Sequence, residues 1–194
     1  MKTGITGGIG SGKSYVCRLL EQQGVKVYDC DSAAKRLMRT DPELREKLTA
    51  LIGPDTYLTT DGGQVLNKAA VARFLLASEG NAQAVDNIVH PAVFQDFTDS
   101  GMEWVESAIL FESGLYRLVN RIVVVTAPQE VRIARVMARD GISREKALEW
   151  MARQWPQEEL VRRAHYEIVN DGMQPLTPQI APLLEESHKE DCQC

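Results

Sequence analysis

The densest chemistry in the chain lies in Gly7-Gly8-Ile9-Gly10-Ser11-Gly12-Lys13-Ser14, which fits the spacing G-x-x-x-x-G-K-S in full. Such a run can cradle the phosphates of a nucleotide. Glycines let the backbone take positive φ and turn its N–H groups inward around an anion. A helix beginning near Gly12 adds its positive N-terminal end. Lys13 can reach the β- and γ-phosphates, and the Ser14 hydroxyl can ligate Mg²⁺. Phosphoryl transfer is the chemistry these residue types support.

Three further groups could join it. Asp29-Cys30-Asp31 follows the second expected strand. In a parallel sheet the C-terminal ends of the strands face the ligand crevice, so this acidic pair and Lys13 belong to one edge. A carboxylate there can accept a hydroxyl proton, orient an acceptor or ligate Mg²⁺. Asp31 can also cap a helix starting at Ser32. Arg132, Arg135 and Arg139 lie at i, i+3, i+7, on one helical face, within a segment (131–165) holding eight Lys or Arg against five acidic residues. That face suits a lid closing on polyphosphate, or else a solvated helix surface. Glu112 ends an apolar strand from Ala108 to Phe111, at the crevice edge or as a surface carboxylate. His90, before Pro91 at the end of a helical run, reads as structural.

These residues need elements to position them. Lys2–Thr6 predicts a strand, Ser14–Gln23 a helix stopped by Gly24, and Val25–Tyr28 a second strand: a βαβ unit, hence an α/β fold with a parallel sheet. From Ser32 to about Ser100 the pattern is helical and reads as an insertion covering the sheet edge. Thr40-Asp41-Pro42-Glu43 starts a helix whose apolar face is Leu44, Leu48, Leu51 and Ile52. Thr59–Gly63 is a turn, and Asn67–Ala77 and Ala82–Val89 are helical. Strands return at Trp104–Phe111 and Arg121–Thr126, then helices at Glu130–Arg139, Ser143–Gln154 and Glu158–His165. Tyr166–Val169 is the last strand, Asn170-Asp171-Gly172 a turn, and Pro175, Pro178 and Pro182 punctuate the end before a charged tail.

The 194 residues suit one domain, with or without insertions. The composition, 44% hydrophobic and 25% charged, excludes a disordered or collagen-like chain. With 22 basic and 27 acidic residues the net charge is −5, which argues against a nucleic-acid or anionic-membrane binder and for a small polyanion held locally. No apolar stretch approaches a membrane span, and the first residues lack the apolar core of an export signal, so a cytoplasmic protein with free thiols is expected. Cys192 and Cys194, with His188 nearby, read as part of a frayed polar tail, not as a metal site.

Taken together, the residues resemble the dephospho-coenzyme A kinase family over nearly the whole chain. Thr6–Ser14 is similar to the family's opening loop, Asp29-Cys30-Asp31 to its D-A-D, His90-Pro91 to its H-P, and Leu110-Phe111-Glu112 to its apolar-apolar-Glu. Arg135, Arg139 and Gln154 are similar to its lid residues, and Val169–Gly172 to its late nucleotide-side loop. The resemblance implies a P-loop kinase fold with a five-stranded parallel sheet, a helical coenzyme A-binding insertion (32–100) and a lid (131–159) on a core of 1–31, 101–130 and 160–194. It implies a monomer that uses ATP with Mg²⁺ to phosphorylate the ribose 3′-hydroxyl of dephospho-coenzyme A, the last step of coenzyme A biosynthesis, with no nucleic-acid or membrane partner. Lys13, Asp31 and Arg139 would be catalytic, Asp31 as base. Gly8, Ile9, Gly10, Ser11, Gly12, Lys13, Ser14, Tyr15, Arg135 and Asn170 would hold the nucleotide, and Ser14 the metal. Asp29, Asp31, Lys35, Arg36, His90 and Glu112 would face the acceptor. Tyr15 departs from the family's usual Thr, and Lys35 stands where the family has an Arg, with Arg36 beside it.

Rival readings are another small-metabolite kinase, a switch GTPase or an assembly ATPase. A GTPase needs N-K-x-D, and Asn67-Lys68-Ala69-Ala70 lacks the Asp. An assembly ATPase commonly ends a long apolar strand in Asp, which neither Phe111-Glu112 nor Thr126-Ala127 supplies.

Overall fold

The computed structural model describes residues 1–191, which fall into two compact units: Met1–Tyr28 with the segment from Met102 onward, and Asp29–Gly101. In chain order the elements are β1 (Thr3–Thr6), α1 (Lys13–Gln22), β2 (Val27–Asp29), α2 (Cys30–Thr40), α3 (Pro42–Ile52), β3 (Tyr57–Thr60), β4 (Gly63–Leu66), α4 (Lys68–Ala77), α5 (Glu79–Asp99), β5 (Trp104–Glu106), β6 (Arg121–Thr126), α6 (Gln129–Asp140), α7 (Arg144–Ala152), α8 (Gln157–Arg163), β7 (Tyr166–Val169) and α9 (Thr177–Asp191). Single 3-10 turns lie at Pro54–Thr56 and Leu115–Leu118.

Five strands form one parallel sheet in the order β2-β5-β1-β6-β7. β1 and β6 are buried at every residue, as central strands covered on both faces must be. Thr3–Thr6 of β1 runs beside Arg121–Val124 of β6, and Ile5 stands opposite Glu106 of β5. One face packs Val16, Cys17 and Leu20 of α1 onto Ile5, Val123, Val125 and Ile168. Arg121 is buried between the rings of Trp104 and Tyr166, at 5.4 and 5.8 Å, and its Nε donates to Thr3 Oγ1 at 3.1 Å.

The chain's end departs from the expected polar tail. Residues 177–191 form α9, and Ile180 and Leu183 are buried in the same core as Ile5. Pro178 sits in the helix's first turn, where no intrahelical N–H is required, and Pro182 lies within it. Burial of the Leu176, Ile180 and Leu183 stripe outweighs the lost bond. Cys192 and Cys194 lie outside the described residues.

In the second unit Asp41 caps α3, its Oδ1 accepting from the Leu44 N–H at 3.0 Å, with Pro42 in the first turn. Leu44 and Leu48 are buried, as their spacing predicts. Two expectations need correction. The turn at Thr59–Gly63 is the tip of an antiparallel hairpin, β3 with β4, with Thr60 opposite Gly63. The two-residue Asp61-Gly62 loop is a hairpin signal that the surrounding helical pattern obscured. Pro91 does not end a helix either, because α5 continues through it to Asp99. Val89, Val93 and Phe97, spaced by four, are buried on one face, and that burial carries the helix past the missing N–H.

The packing of α9 gives a direct test. Leu183→Ala is expected to lower unfolding free energy by about 2–5 kcal/mol, the range for truncating a buried leucine. Denaturant titration reads this as an earlier midpoint, and an unchanged midpoint would return residues 177–191 to a frayed tail.

Candidate active site

The chain leaves β1 at Thr6 and enters α1 at Lys13 through the glycine loop. Gly10 and Gly12 have φ of 79° and 92°. A Cβ on Gly10 would lie 2.6 Å from the Arg132 carbonyl oxygen, and one on Gly12 would lie 2.1 Å from Asn170 Nδ2. Conformation and space thus both demand glycine there. No side chain caps the first turn of α1, so its positive end is left for a ligand.

Lys13 lies under this loop, nine-tenths buried. Its Nζ donates to the Gly7 carbonyl at 2.7 Å and stands 3.9 Å from Glu106 Oε1. Burial pulls the ammonium's pKa below the ordinary lysine value, and the Glu106 carboxylate opposes that shift. Glu106 is a site residue that the sequence reading missed. The strand expected over Trp104–Phe111 stops at Glu106, and the chain then turns. The strand-terminal acid sought at Phe111-Glu112 is therefore Glu106, on the strand beside β1. Glu112 lies exposed in a turn and accepts from the Trp155 N–H at 3.4 Å.

α6 supplies donors to the loop's carbonyls. Arg132 Nε donates to Ile9 O at 2.9 Å, and Arg135 Nη1 to Gly10 O and Ser11 O at 3.4 and 3.3 Å. Arg135 Nη2 donates to Asn170 Oδ1 at 3.3 Å, and Asn170 Nδ2 to Ser11 O at 2.8 Å. Arg135 and Asn170, both singled out in the sequence, thus meet on the loop. Arg132 joins them and is buried, which draws its pKa down. Arg139 does not reach the loop. Its guanidinium is largely exposed and pairs with Asp140, Nε to Oδ1 at 3.0 Å and Nη2 to Oδ2 at 2.7 Å. Other basic residues of the segment form surface pairs, such as Arg144 with Glu130, which add little stability.

Ser14 and Tyr15 are exposed at the start of α1. Among the described residues the Ser14 hydroxyl has no hydrogen-bond partner, and no group of three or more His, Cys, Asp or Glu side chains could hold a metal alone. That donor set fits Mg²⁺, which takes most of its ligands from phosphates and water.

In the second unit, the helix cap after β2 is Asp29 and not Asp31. Asp29 Oδ1 accepts from the N–H groups of Asp31 and Ser32 at 2.9 and 3.1 Å, and Oδ2 from Ser32 Oγ at 2.7 Å. α2 therefore starts at Cys30, two residues before the sequence expectation. Asp31 stands on the exposed face of α2 and pairs with Lys35 one turn on. Arg36 goes elsewhere, to Asp96 Oδ2 at 2.5 Å. His90 sits within α5, stacked on Phe94 with centroids 6.1 Å apart, its Nε2 3.7 Å from Asp86.

A parallel sheet whose central strand feeds a glycine loop into a helix, with lysine at the loop's end, defines a P-loop protein, and the strand-terminal acid and loop-binding arginines make it a phosphotransferase of the small-kinase kind. Comparison with known proteins agrees. The dephospho-CoA kinase family profile matches residues 1–175. A dephospho-CoA kinase of Bacteroides fragilis is 42% identical over 195 residues, covering 95% of this chain and 91% of the relative. A Thermus thermophilus protein of known crystal structure superposes with a TM-score of 0.77 at 32% identity, over 98% of this chain and 97% of that one. A Campylobacter jejuni dephospho-CoA kinase shares the fold, with a TM-score of 0.66 at 20% identity over 98% and 100% of the two chains. The chain belongs to the dephospho-CoA kinase family.

The buried lysine has a measurable cost. With its folded pKa below the unfolded one, Lys13 imposes its full burial penalty wherever it is charged in both states, that is, below the lowered folded pKa. Stability is recovered only as pH rises through the lowered folded pKa toward the unfolded value. Lys13→Met is therefore expected to leave the ligand-free protein at least as stable as wild type at pH 7, with the margin shrinking at alkaline pH, while abolishing nucleotide binding. Melting curves across pH and calorimetric ADP titration check this, and a marked loss of Tm at pH 7 would contradict it.

Proposed function

We propose that this chain transfers the γ-phosphoryl group of ATP to the ribose 3′-hydroxyl of dephospho-CoA, giving CoA and ADP in the last step of CoA biosynthesis. The observation that carries the reading is the glycine loop with Lys13 buried beneath it, in a chain of this family. The segment Gly8–Tyr15, through N–H groups other than those of Ile9, Ser11 and Tyr15, and the open end of α1 receive the phosphates. Lys13 offsets charge on the transferring group, and Arg135 and Asn170 hold the loop in shape. Mg²⁺ held with the nucleotide would supply charge neutralisation at the phosphates. Ser14 would contribute a ligand, with Glu106 as the neighbouring acid.

The acceptor oxygen bonds to the γ-phosphorus as the bond to the ADP oxygen breaks, and its proton must leave. Asp31 takes that proton. Asp29 already satisfies the helix cap, so the exposed Asp31 carboxylate is held only by a surface pair with Lys35. Residues 32–100 are proposed as the acceptor-binding insertion, and Asp29, Lys35, Arg36, His90 and Glu112 as acceptor contacts. Residues 131–159 form the lid, whose Arg139 must exchange Asp140 for the transferring phosphoryl. Among the described residues no helix is long and apolar enough to cross a membrane, and the chain is proposed to act as a monomer in the cytoplasm.

An ADP-release assay against a panel of acceptors tests the substrate, and dephospho-CoA should stand out over shikimate and nucleosides. Asp31→Asn tests the base. It is expected to lower kcat by roughly 10²–10⁴-fold, the usual worth of general-base catalysis, with little change in ATP affinity. If it instead keeps kcat and shifts only the Mg²⁺ dependence, Asp31 is not the base.

A further inference from the structure

Ile9, at the tip of the glycine loop, is held at every point by the α6–α8 segment. Its side chain packs against the cluster of Ile133, Val136 and Ala147. Its carbonyl accepts from Arg132 Nε at 2.9 Å, and its N–H donates to Gln154 Oε1 at 2.7 Å. That last contact removes a loop N–H from phosphate binding, and a bare structural role does not require it.

The contact fixes the carboxamide's orientation. An N–H can only donate, so the oxygen of Gln154 must face Ile9 and the NH₂ must point the other way. Among the described residues Nε2 has no partner. The backbone around Gln154 is also pinned. Trp155 stacks on Phe111 with centroids 5.6 Å apart and planes within 4°, and the Arg163 guanidinium lies 4.8 Å over the Trp155 ring. The Trp155 N–H donates to Glu112 Oε1. A two-donor group is thus held at the loop tip with its donors unspent.

A triphosphate bound in the manner of such loops would bring its γ group toward this place. The start of α1 takes the α- and β-phosphates, and the loop lysine reaches the β- and γ-phosphates. Lys13 Nζ lies against the carbonyl of Gly7, so a bound chain of phosphates would run from α1 toward Gly7, Gly8 and Ile9. We propose that Gln154 is a positioning residue for the γ-phosphoryl group: Ile9 orients its carboxamide, and its NH₂ donates to a γ-phosphate oxygen. This rests on the kinase reading above. It also gives Arg132 a task, since its bond to Ile9 O fixes the residue that aims Gln154.

The test compares a ligand with the γ group to one without it. Gln154→Glu keeps an acceptor for the Ile9 N–H but loses the donors, and Gln154→Met loses both without adding charge. Calorimetry with ADP and with the β,γ-imido analogue of ATP, in the presence of Mg²⁺, reads the two affinities. Both variants are expected to bind ADP nearly as wild type does. Both should lose on the order of tenfold in affinity for the triphosphate analogue, the worth of a hydrogen bond to a charged group. An unchanged ratio of triphosphate to diphosphate affinity overturns the role of Gln154, whatever happens to kcat or Tm, because a merely structural glutamine would move both ligands together. ADP binding by the wild type is the control for the kinase reading: its absence would overturn that reading, whereas an unchanged ratio overturns only this one.

Discussion

A buried ammonium under a glycine loop is the constraint on which the rest of the structure depends. The Gly7 carbonyl at 2.7 Å and the Glu106 carboxylate at 3.9 Å favour the charged form of Lys13, in a place that burial makes unfavourable for charge. Folding alone does not reward that arrangement, but a polyphosphate does. The surroundings follow from it. β1 must be central to bring the loop to the sheet's edge, and β5 must end where Glu106 can reach the lysine.

The loop imposes a second requirement. Each peptide is planar, so turning N–H groups inward toward an anion turns carbonyls outward. Those carbonyls must be satisfied if they are not in water. Arg132, Arg135 and Asn170 do this for Ile9, Gly10 and Ser11. The arginine face of α6 is thus first a clamp on the loop's outer side. Its end, Arg139, lies exposed on the surface, paired to its neighbour Asp140. One helix therefore carries both the loop's rigid support and a charge free to be redeployed.

Much of this was legible in the sequence because it depends on short-range pattern. The G-x-x-x-x-G-K-S run, the boundaries of β6 and β7 and the α3 cap are local features, and they stand where the spacing placed them. What was not legible depends on tertiary contact. β5 is three residues long, and nothing local distinguishes Glu106 from Glu112 as its end. α5 and α9 run through prolines because buried stripes hold them, a balance that local propensity cannot weigh. Asp29 and Asp31 are equivalent as helix-capping letters, and only the backbone's exit from β2 makes the first the cap. Arg132 and Arg139 share a helical face in sequence, yet their distance along α6 puts one on the loop and the other in solvent.

The most direct test of this account is the ionisation of Lys13 itself, followed by NMR of a lysine-¹⁵Nζ-labelled sample as pH is raised, with and without nucleotide. In the free protein the Lys13 ammonium is expected to titrate below the surface lysines, because burial disfavours its charge. On binding the ATP analogue with Mg²⁺ its pKa is expected to rise, because the phosphate charge supplies what burial removed. A lysine that titrates with the surface lysines in the free protein, or whose pKa is unmoved by the triphosphate, would contradict the claim that this buried charge is held in readiness for phosphate.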